Sequence, residues 1–133
     1  MFERVYRDSY NRKQKSVLII DDDQDAAELL AKILSDMYEA RIDIARSVFE
    51  GSRLMFKNDY SLIVSDMKMP TLDGSSMIRT KALTKNAAVP ILIVTGYDTK
   101  ALDLPQEHLL GVLSKPFNKK AFFVAIRGLL DSE

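Results

Sequence analysis

The chain has 133 residues, with nineteen basic and nineteen acidic side chains and no cysteine. That length suits one domain with its own core, balanced charge offers nothing to nucleic acid or an anionic membrane surface, and the lack of cysteine excludes disulfide staples and thiolate zinc sites. No apolar run approaches the roughly 20 residues that cross a bilayer, and the charged opening MFERVYRDSYNRKQK reads as no signal peptide, so the expected location is cytoplasmic.

In chain order, residues 1–15 carry five basic residues against two acidic ones, and Phe2, Tyr6 and Tyr10 recur at i, i+4 and i+8. This spacing allows a short amphipathic helix, and the alternative is a solvated extension. The main domain is expected over 16–133. "VLII" (17–20) is the first of three continuous apolar runs, with "LIV" (62–64) and "ILIV" (91–94). Continuous rather than alternating runs predict strands covered on both faces, the pattern of central parallel strands. "RIDIA" (41–45) and "GVLS" (111–114) are weaker strand candidates.

Helical patterns lie between them. Residues 25–38 set Leu29, Leu30, Ile33, Leu34 and Met37 along one stripe. Residues 47–57 put Val48, Gly51, Ser52 and Met55 on one side, and residues 75–84 open a helix after Gly74. Residues 98–104, DTKALDL, begin a helix that Pro105 stops or restarts. Residues 118–130 form the last helix, capped by Asn118, with Phe122, Ala125, Ile126 and Leu129 inward. Alternating strands and helices define an α/β fold. The expectation is a flavodoxin-like three-layer sandwich: a five-stranded parallel sheet in the order 2-1-3-4-5 with helices on both faces.

Ligands of such sheets bind beyond the carboxyl ends of the strands, at the switch point. Strand 1 ends in Asp21, Asp22 and Asp23, strand 3 in Asp66, strand 4 in Thr95 and Gly96, and strand 5 in Lys115 and Pro116. Clustered carboxylates repel one another, and a hard divalent cation such as Mg²⁺ offsets them. A carboxylate is also a nucleophile toward phosphorus, and phosphoryl transfer asks mainly for positioning and charge neutralisation. Asp23 or Asp25 is the expected cap of the first helix. Asp73 with Gly74 reads as a turn and helix entry. The single histidine, His108, reads as a surface residue.

"VLIIDDD", "SDMKMPTLDG", "ILIVTG" and "LSKPF" match, in order, the four signature blocks of the receiver domain of two-component response regulators. The chain resembles that family over essentially residues 16–131. The resemblance implies that Asp66 is the phosphoacceptor. It implies an acidic pair in Asp21 and Asp22, with Asp22 the direct Mg²⁺ ligand and the Lys68 backbone carbonyl another. Thr95 and Lys115 would engage the phosphoryl group, and the peptide before the matching proline is often cis in the family. The donor would be a histidine kinase, a phosphotransfer protein or a small phosphodonor. The added charge, near −2, would pull Thr95 and Lys115 inward and shift a two-state equilibrium, with phosphorylation-linked homodimerisation among the expected outcomes.

One departure accompanies the match. Receivers commonly carry an aromatic residue three positions before the lysine, where this chain has Val112. Lys68 and Tyr97 would flank the phosphoryl group and are expected to slow self-dephosphorylation. Two other readings stand beside the first. One is a receiver-fold interaction module that no longer switches. The other rests on "VLIIDDDQD", which resembles the first motif of haloacid-dehalogenase-type phosphatases, with Asp21 as nucleophile and Asp23 as general acid. Against it, Asp66 would have no role and no acidic motif follows Lys115.

Overall fold

The computed structural model describes residues 15–67, 74–96 and 110–131. The elements run β1 (Lys15–Ile20), α1 (Gln24–Met37), β2 (Ala40–Ala45), α2 (Val48–Lys57), β3 (Leu62–Met67), α3 (Gly74–Ala82), β4 (Ile91–Thr95), β5 (Leu110–Ser114) and α4 (Lys119–Asp131). The sheet order is β2-β1-β3-β4-β5, and every neighbouring pair is parallel. This is the expected doubly wound order, with its switch point between β1 and β3. The N-terminal extension, Lys68, Pro70, Asp73, Tyr97, Pro105 and His108 lie outside the described residues. None of the described helices is long and apolar enough to cross a membrane.

The continuous apolar strands are explained by the two layers that cover them. Val17 and Ile19 of β1 pack with Leu62, Val64, Leu92 and Val94 under α1 and α4, whose Leu30, Ile33, Leu34, Phe122, Ile126 and Leu129 complete that core. Leu18 and Ile20 point the other way, into a second core with Ile63, Ile91, Ile93, Met55 of α2 and Met77 of α3. Successive strand residues face opposite sides, so a strand sandwiched between helices has to be apolar at every position. The edge strand β5 is only partly buried along its length.

Local chemistry sets the helix ends. Asp23 is the N-cap of α1: its carboxylate accepts from the Ala26 N–H at 3.2 Å, while Asp25 sits in the first turn beside the positive end of the helix dipole. The Ser47 hydroxyl caps α2 through the Glu50 N–H, and the Asn118 side chain accepts from the Ala121 N–H at 2.8 Å. Each cap satisfies one of the orphan N–H groups of a helix start. Gly51 brings α2 close to β1: a Cβ there would lie 2.7 Å from Ile20 Cδ1.

Two positions of the expected helical stripes face out. Leu29 is 60% exposed and Val48 is 42% exposed. In α1 the fully covered line runs through Ala27, Leu30, Ile33 and Leu34. Leu29 is one helical step of about 100° from Leu30, at the rim of that stripe rather than under it. Val48 is the first residue of its helix.

Candidate functional site

Register brings the acidic residues together. Ile20 of β1 pairs with Ser65 of β3, so the next residue of each strand, Asp21 and Asp66, stands beside the other at the carboxyl edge. On the far side of β3, Asp66 pairs with Val94 and Met67 with Thr95. Thr95 in turn pairs with Ser114, and the Lys115 N–H donates to the Thr95 carbonyl at 2.7 Å. Ladder hydrogen bonds therefore deliver Asp21, Asp66, Thr95 and Lys115 to one rim.

The side chains meet there. Lys115 Nζ lies 3.1 Å from Asp66 Oδ1 and 3.1 Å from Oδ2. The Asp66 side chain is 3% exposed and that of Lys115 is 40% exposed, so the ammonium covers the carboxylate from the solvent side. Asp21 is buried and accepts from the Asp23 N–H through Oδ1 at 2.9 Å. Burial holds the Asp21 carboxyl above its ordinary value of 3.8; the Asp66 charge and a hydrogen bond shared with Asp66 push the same way, against the Asp23 N–H and Lys115. Thr95 is fully buried at the end of β4. Gly96, the next residue, is exposed, and a Cβ there would meet nothing within 4 Å. The Lys115–Pro116 peptide is cis.

Asp22 differs from Asp21 and Asp66. It is exposed, and no three acidic or histidine side chains gather into a metal-holding group among the described residues. Asp21 and Asp66 stand side by side at the strand ends, with Lys115 against the latter. The Asp22 backbone is anchored by Arg46, whose Nη2 donates to the Asp22 carbonyl at 3.2 Å, while Nη1 reaches Gln24 at 3.1 Å. Sequence reasoning missed Arg46, and its only signal was a basic residue just past β2. An all-oxygen donor set with two adjacent buried carboxylates fits a hard divalent ion, which takes a few carboxylates and completes its shell with water and carbonyl oxygens.

A parallel α/β sheet with an acidic pair, a lysine and a threonine converging at its switch point defines a doubly wound domain with a charged site at the carboxyl ends of its strands. A family model, response regulator receiver domain, matches residues 17–127, and the chain belongs to that family. It is 31% identical over 116 residues to a probable chemotaxis protein CheY of Rhizobium etli, covering 85% of this chain and 90% of that protein. It is 27% identical over 124 residues to the transcriptional regulatory protein GlrR of Escherichia coli, covering 91% of this chain but 27% of that longer protein. Among solved structures, Vibrio cholerae CheY4 superposes with a TM-score of 0.72 at 22% identity, over 88% of this chain and 99% of that one. The receiver domain of the sensor histidine kinase PA1611 from Pseudomonas aeruginosa, described with magnesium in its active-site cleft, superposes with a TM-score of 0.74 at 20% identity, over 89% and 98%.

The chain is thus a receiver domain of the two-component response regulators, a signalling module rather than a classical enzyme. None of the comparisons above points to the haloacid-dehalogenase reading, and the Asp23 carboxylate that it makes a general acid is the cap of α1.

Proposed function

We propose that the chain accepts a phosphoryl group on Asp66 from a histidine kinase or phosphotransfer protein. The observation that carries this reading is the two-oxygen contact of Lys115 with Asp66 beside buried Asp21. A carboxylate held at the rim with a mobile ammonium over it is poised for in-line attack. One Asp66 oxygen would form a bond to phosphorus while the bond from phosphorus to the donor breaks. Lys115, 40% exposed on a flexible stem, would move from the attacking oxygen to a phosphoryl oxygen and keep the charge covered. Thr95, at the end of β4, would donate its hydroxyl to another oxygen, and the open space over Gly96 would admit the donor.

Asp21, Asp22 and Asp66, with the Lys68 carbonyl, would hold Mg²⁺. Bound there, the ion supplies charge neutralisation to the phosphoryl oxygens. The chain's own part is to keep the oxygen ligands pre-gathered: Asp21 through the Asp23 N–H, and the Asp22 backbone through Arg46.

Intact-mass measurement after incubation with acetyl phosphate tests this reading. The expected result is one phosphoryl adduct on the wild type with Mg²⁺, little without it, and none on Asp66→Ala. An adduct that survives Asp66→Ala would overturn the assignment.

Val112 favours a second reading. It is a short β-branched residue, 37% exposed on the edge strand β5, and has no ring to swing between exposed and buried positions. On this reading the module accepts phosphate without changing its partner contacts. The same adduct with unchanged partner affinity and unchanged oligomeric state would support it.

A further inference from the structure

α2 and α3 cover one face of the sheet through Met55 and Met77, on the side away from α1 and α4. The outer surface of α2 carries an apolar surplus. Phe49 is 74% exposed and Phe56 is 55% exposed, the most exposed aromatic side chains among the described residues. Two helical turns separate them, so both rings stand on one line about 10 Å long. A phenylalanine left in water forfeits the gain of burial, and two on one line mark a surface that meets a partner. Beside Phe56 lies a cleft of about 410 Å³, also lined by Glu50, Arg53, Leu54 and Lys57.

We propose that this face docks an acidic amphipathic helix of a partner protein. Spacing selects a helix. Phe49, Arg53 and Phe56 recur at i, i+4 and i+7, and Lys57 follows Arg53 by four. The apolar stripe of a second helix has the same repeat and lays its side chains between these. The cleft, with Leu54 on its wall, takes one projecting apolar side chain as an anchor.

Charge selects an acidic one. Arg53 and Lys57 are exposed, and neither has a carboxylate partner among the described residues. Arg79 of α3 and Lys85 in the turn after it are exposed as well. The acidic side chains of this layer are Glu50, half-buried, and Asp59, and residues 74–97 include none. The other nearby bases are engaged: Arg46 with the Asp22 carbonyl and Gln24, Arg41 with Asp43, and buried Lys81 with the Ala87 carbonyl. Arg53, Lys57, Arg79 and Lys85 therefore stand against two carboxylates, a basic layer in a chain of zero net charge. Carboxylates on the partner helix complement it.

Glu50 weighs against a phosphate surface as the occupant. It lines the same cleft as Arg53 and Lys57, so the phosphates of a bilayer or a nucleic acid would pass over a carboxylate. A peptide seats an uncharged side chain there and sets its own carboxylates over Arg53 and Lys57. A membrane-seated helix also keeps its cations on the face away from the lipid, whereas Arg53 stands between the two phenylalanines in the sequence of α2. The proposal does not depend on phosphoryl acceptance by Asp66.

The probe is a labelled helical peptide with leucines at i, i+3, i+4 and i+7 and glutamates between them. A second peptide carries lysines in place of the glutamates. Fluorescence anisotropy with the full chain should show the acidic peptide binding about tenfold or more tighter than the basic one. Phe49→Ser with Phe56→Ser should weaken the acidic peptide by about tenfold or more. Arg53→Glu with Lys57→Glu should reverse the preference, so that the basic peptide binds more tightly. All four side chains are exposed, and circular dichroism checks that each variant is folded. No binding of the acidic peptide, equal affinity for the two peptides, or acidic binding that both pairs of substitutions leave unchanged would overturn the proposal. Sizing chromatography and sedimentation with phosphatidylglycerol vesicles run alongside. A dimer or vesicle binding that Phe49→Ser with Phe56→Ser abolishes, with no peptide bound, would assign the face to a second copy or to a bilayer and would overturn the proposal too.

Discussion

Lys115 Nζ touches both oxygens of the Asp66 carboxylate at 3.1 Å, while buried Asp21 stands beside Asp66 at the end of the neighbouring strand. One ammonium therefore offsets two adjacent acidic groups. Lys115→Met removes the offset and leaves Asp66 and Asp21 facing each other under burial. Breaking a fully buried pair costs about 3–5 kcal/mol. Lys115 is 40% exposed, so solvent screening brings the expected loss to about 1 kcal/mol at pH 7. Guanidinium unfolding in the presence of a chelator measures it, and adding Asp21→Asn to Lys115→Met should recover most of the loss. No recovery would mean that the two carboxyls do not repel each other.

Asp21 itself gives the pH dependence its sign. Burial, ahead of the Asp66 charge, raises its carboxyl above the ordinary 3.8. Below that value both folded and unfolded chains carry the proton. Above it the unfolded chain releases the proton first, so stability contributed by the neutral form is lost as pH rises through the folded value. Asp21→Asn keeps an oxygen for the Asp23 N–H and has no proton to lose. Its stability relative to wild type should therefore rise in chelator as pH increases above the ordinary 3.8, and a difference that stays flat would refute the assignment.

At the opposite end of the sheet, the Tyr60 hydroxyl donates to Asp43 Oδ2 at 2.7 Å. Burial and then Asp43 push the phenol up to about 12 from its ordinary 10.0. The sign is that of a raised group: the contribution is complete below pH 10 and is lost as pH rises toward 12. Tyr60→Phe should cost about 1 kcal/mol at neutral pH, the net worth of one such bond, with Asp43 left to Arg41 and water. It should also flatten the fall in stability between pH 10 and 12. Urea midpoints across that range compare the two proteins.

Asn86 is 1% exposed, and its carboxamide closes three backbone positions. Nδ2 donates to the Met55 carbonyl at 2.6 Å and to the Asn58 carbonyl at 2.8 Å. Oδ1 accepts from the Tyr60 N–H at 2.8 Å. This one side chain pins the end of α2 and the entry to β3 to the turn before β4. Asn86→Ala strands three backbone groups at about 1–3 kcal/mol each before any water enters, so a loss of at least about 3 kcal/mol is expected. Asn86→Asp keeps only the acceptor role toward Tyr60 and should not rescue. A loss under about 1 kcal/mol for the alanine variant would show that water replaces the carboxamide.

How much of this was legible in the chain differs from place to place. The sheet was, because a strand covered on both faces must be apolar at every position, and runs such as "VLII" and "ILIV" have few other uses. The convergence of Asp21, Asp66, Thr95 and Lys115 followed from strand order alone, since each closes or directly follows a strand. The caps Asp23 and Asn118 were also readable, since a short polar side chain before an apolar periodic run has a local purpose. Leu29 was not, because hydropathy gives a stripe but not its edge: one 100° step separates a covered side chain from a rim. Asn86 and Arg46 were illegible for another reason. Their partners are 31 residues or fewer away in sequence but contact them only through the fold, and nothing in "TKNAA" or "IARS" marks a hub.

Two glycines in helices should respond in opposite directions to the same substitution. At Gly128 in α4, an added Cβ meets nothing within 4 Å. Gly128→Ala therefore gains only helix propensity, about 1 kcal/mol, which raises the melting temperature by about 4 °C in a domain of this size. At Gly51 in α2, the Cβ would lie 2.7 Å from Ile20 Cδ1 and 2.9 Å from Cγ1. Ile20 is buried in the core between the sheet and α2, so the whole side chain has to turn, not its tip alone. Overpacking of this kind costs about 1–3 kcal/mol, which offsets or exceeds the propensity gain. Gly51→Ala should leave the protein no more stable than wild type, and Gly51→Val, with two further methyl groups against Ile20, should be clearly destabilised. Thermal melts of the three variants decide the matter. If Gly51→Ala stabilises as much as Gly128→Ala, α2 does not press on β1 in solution.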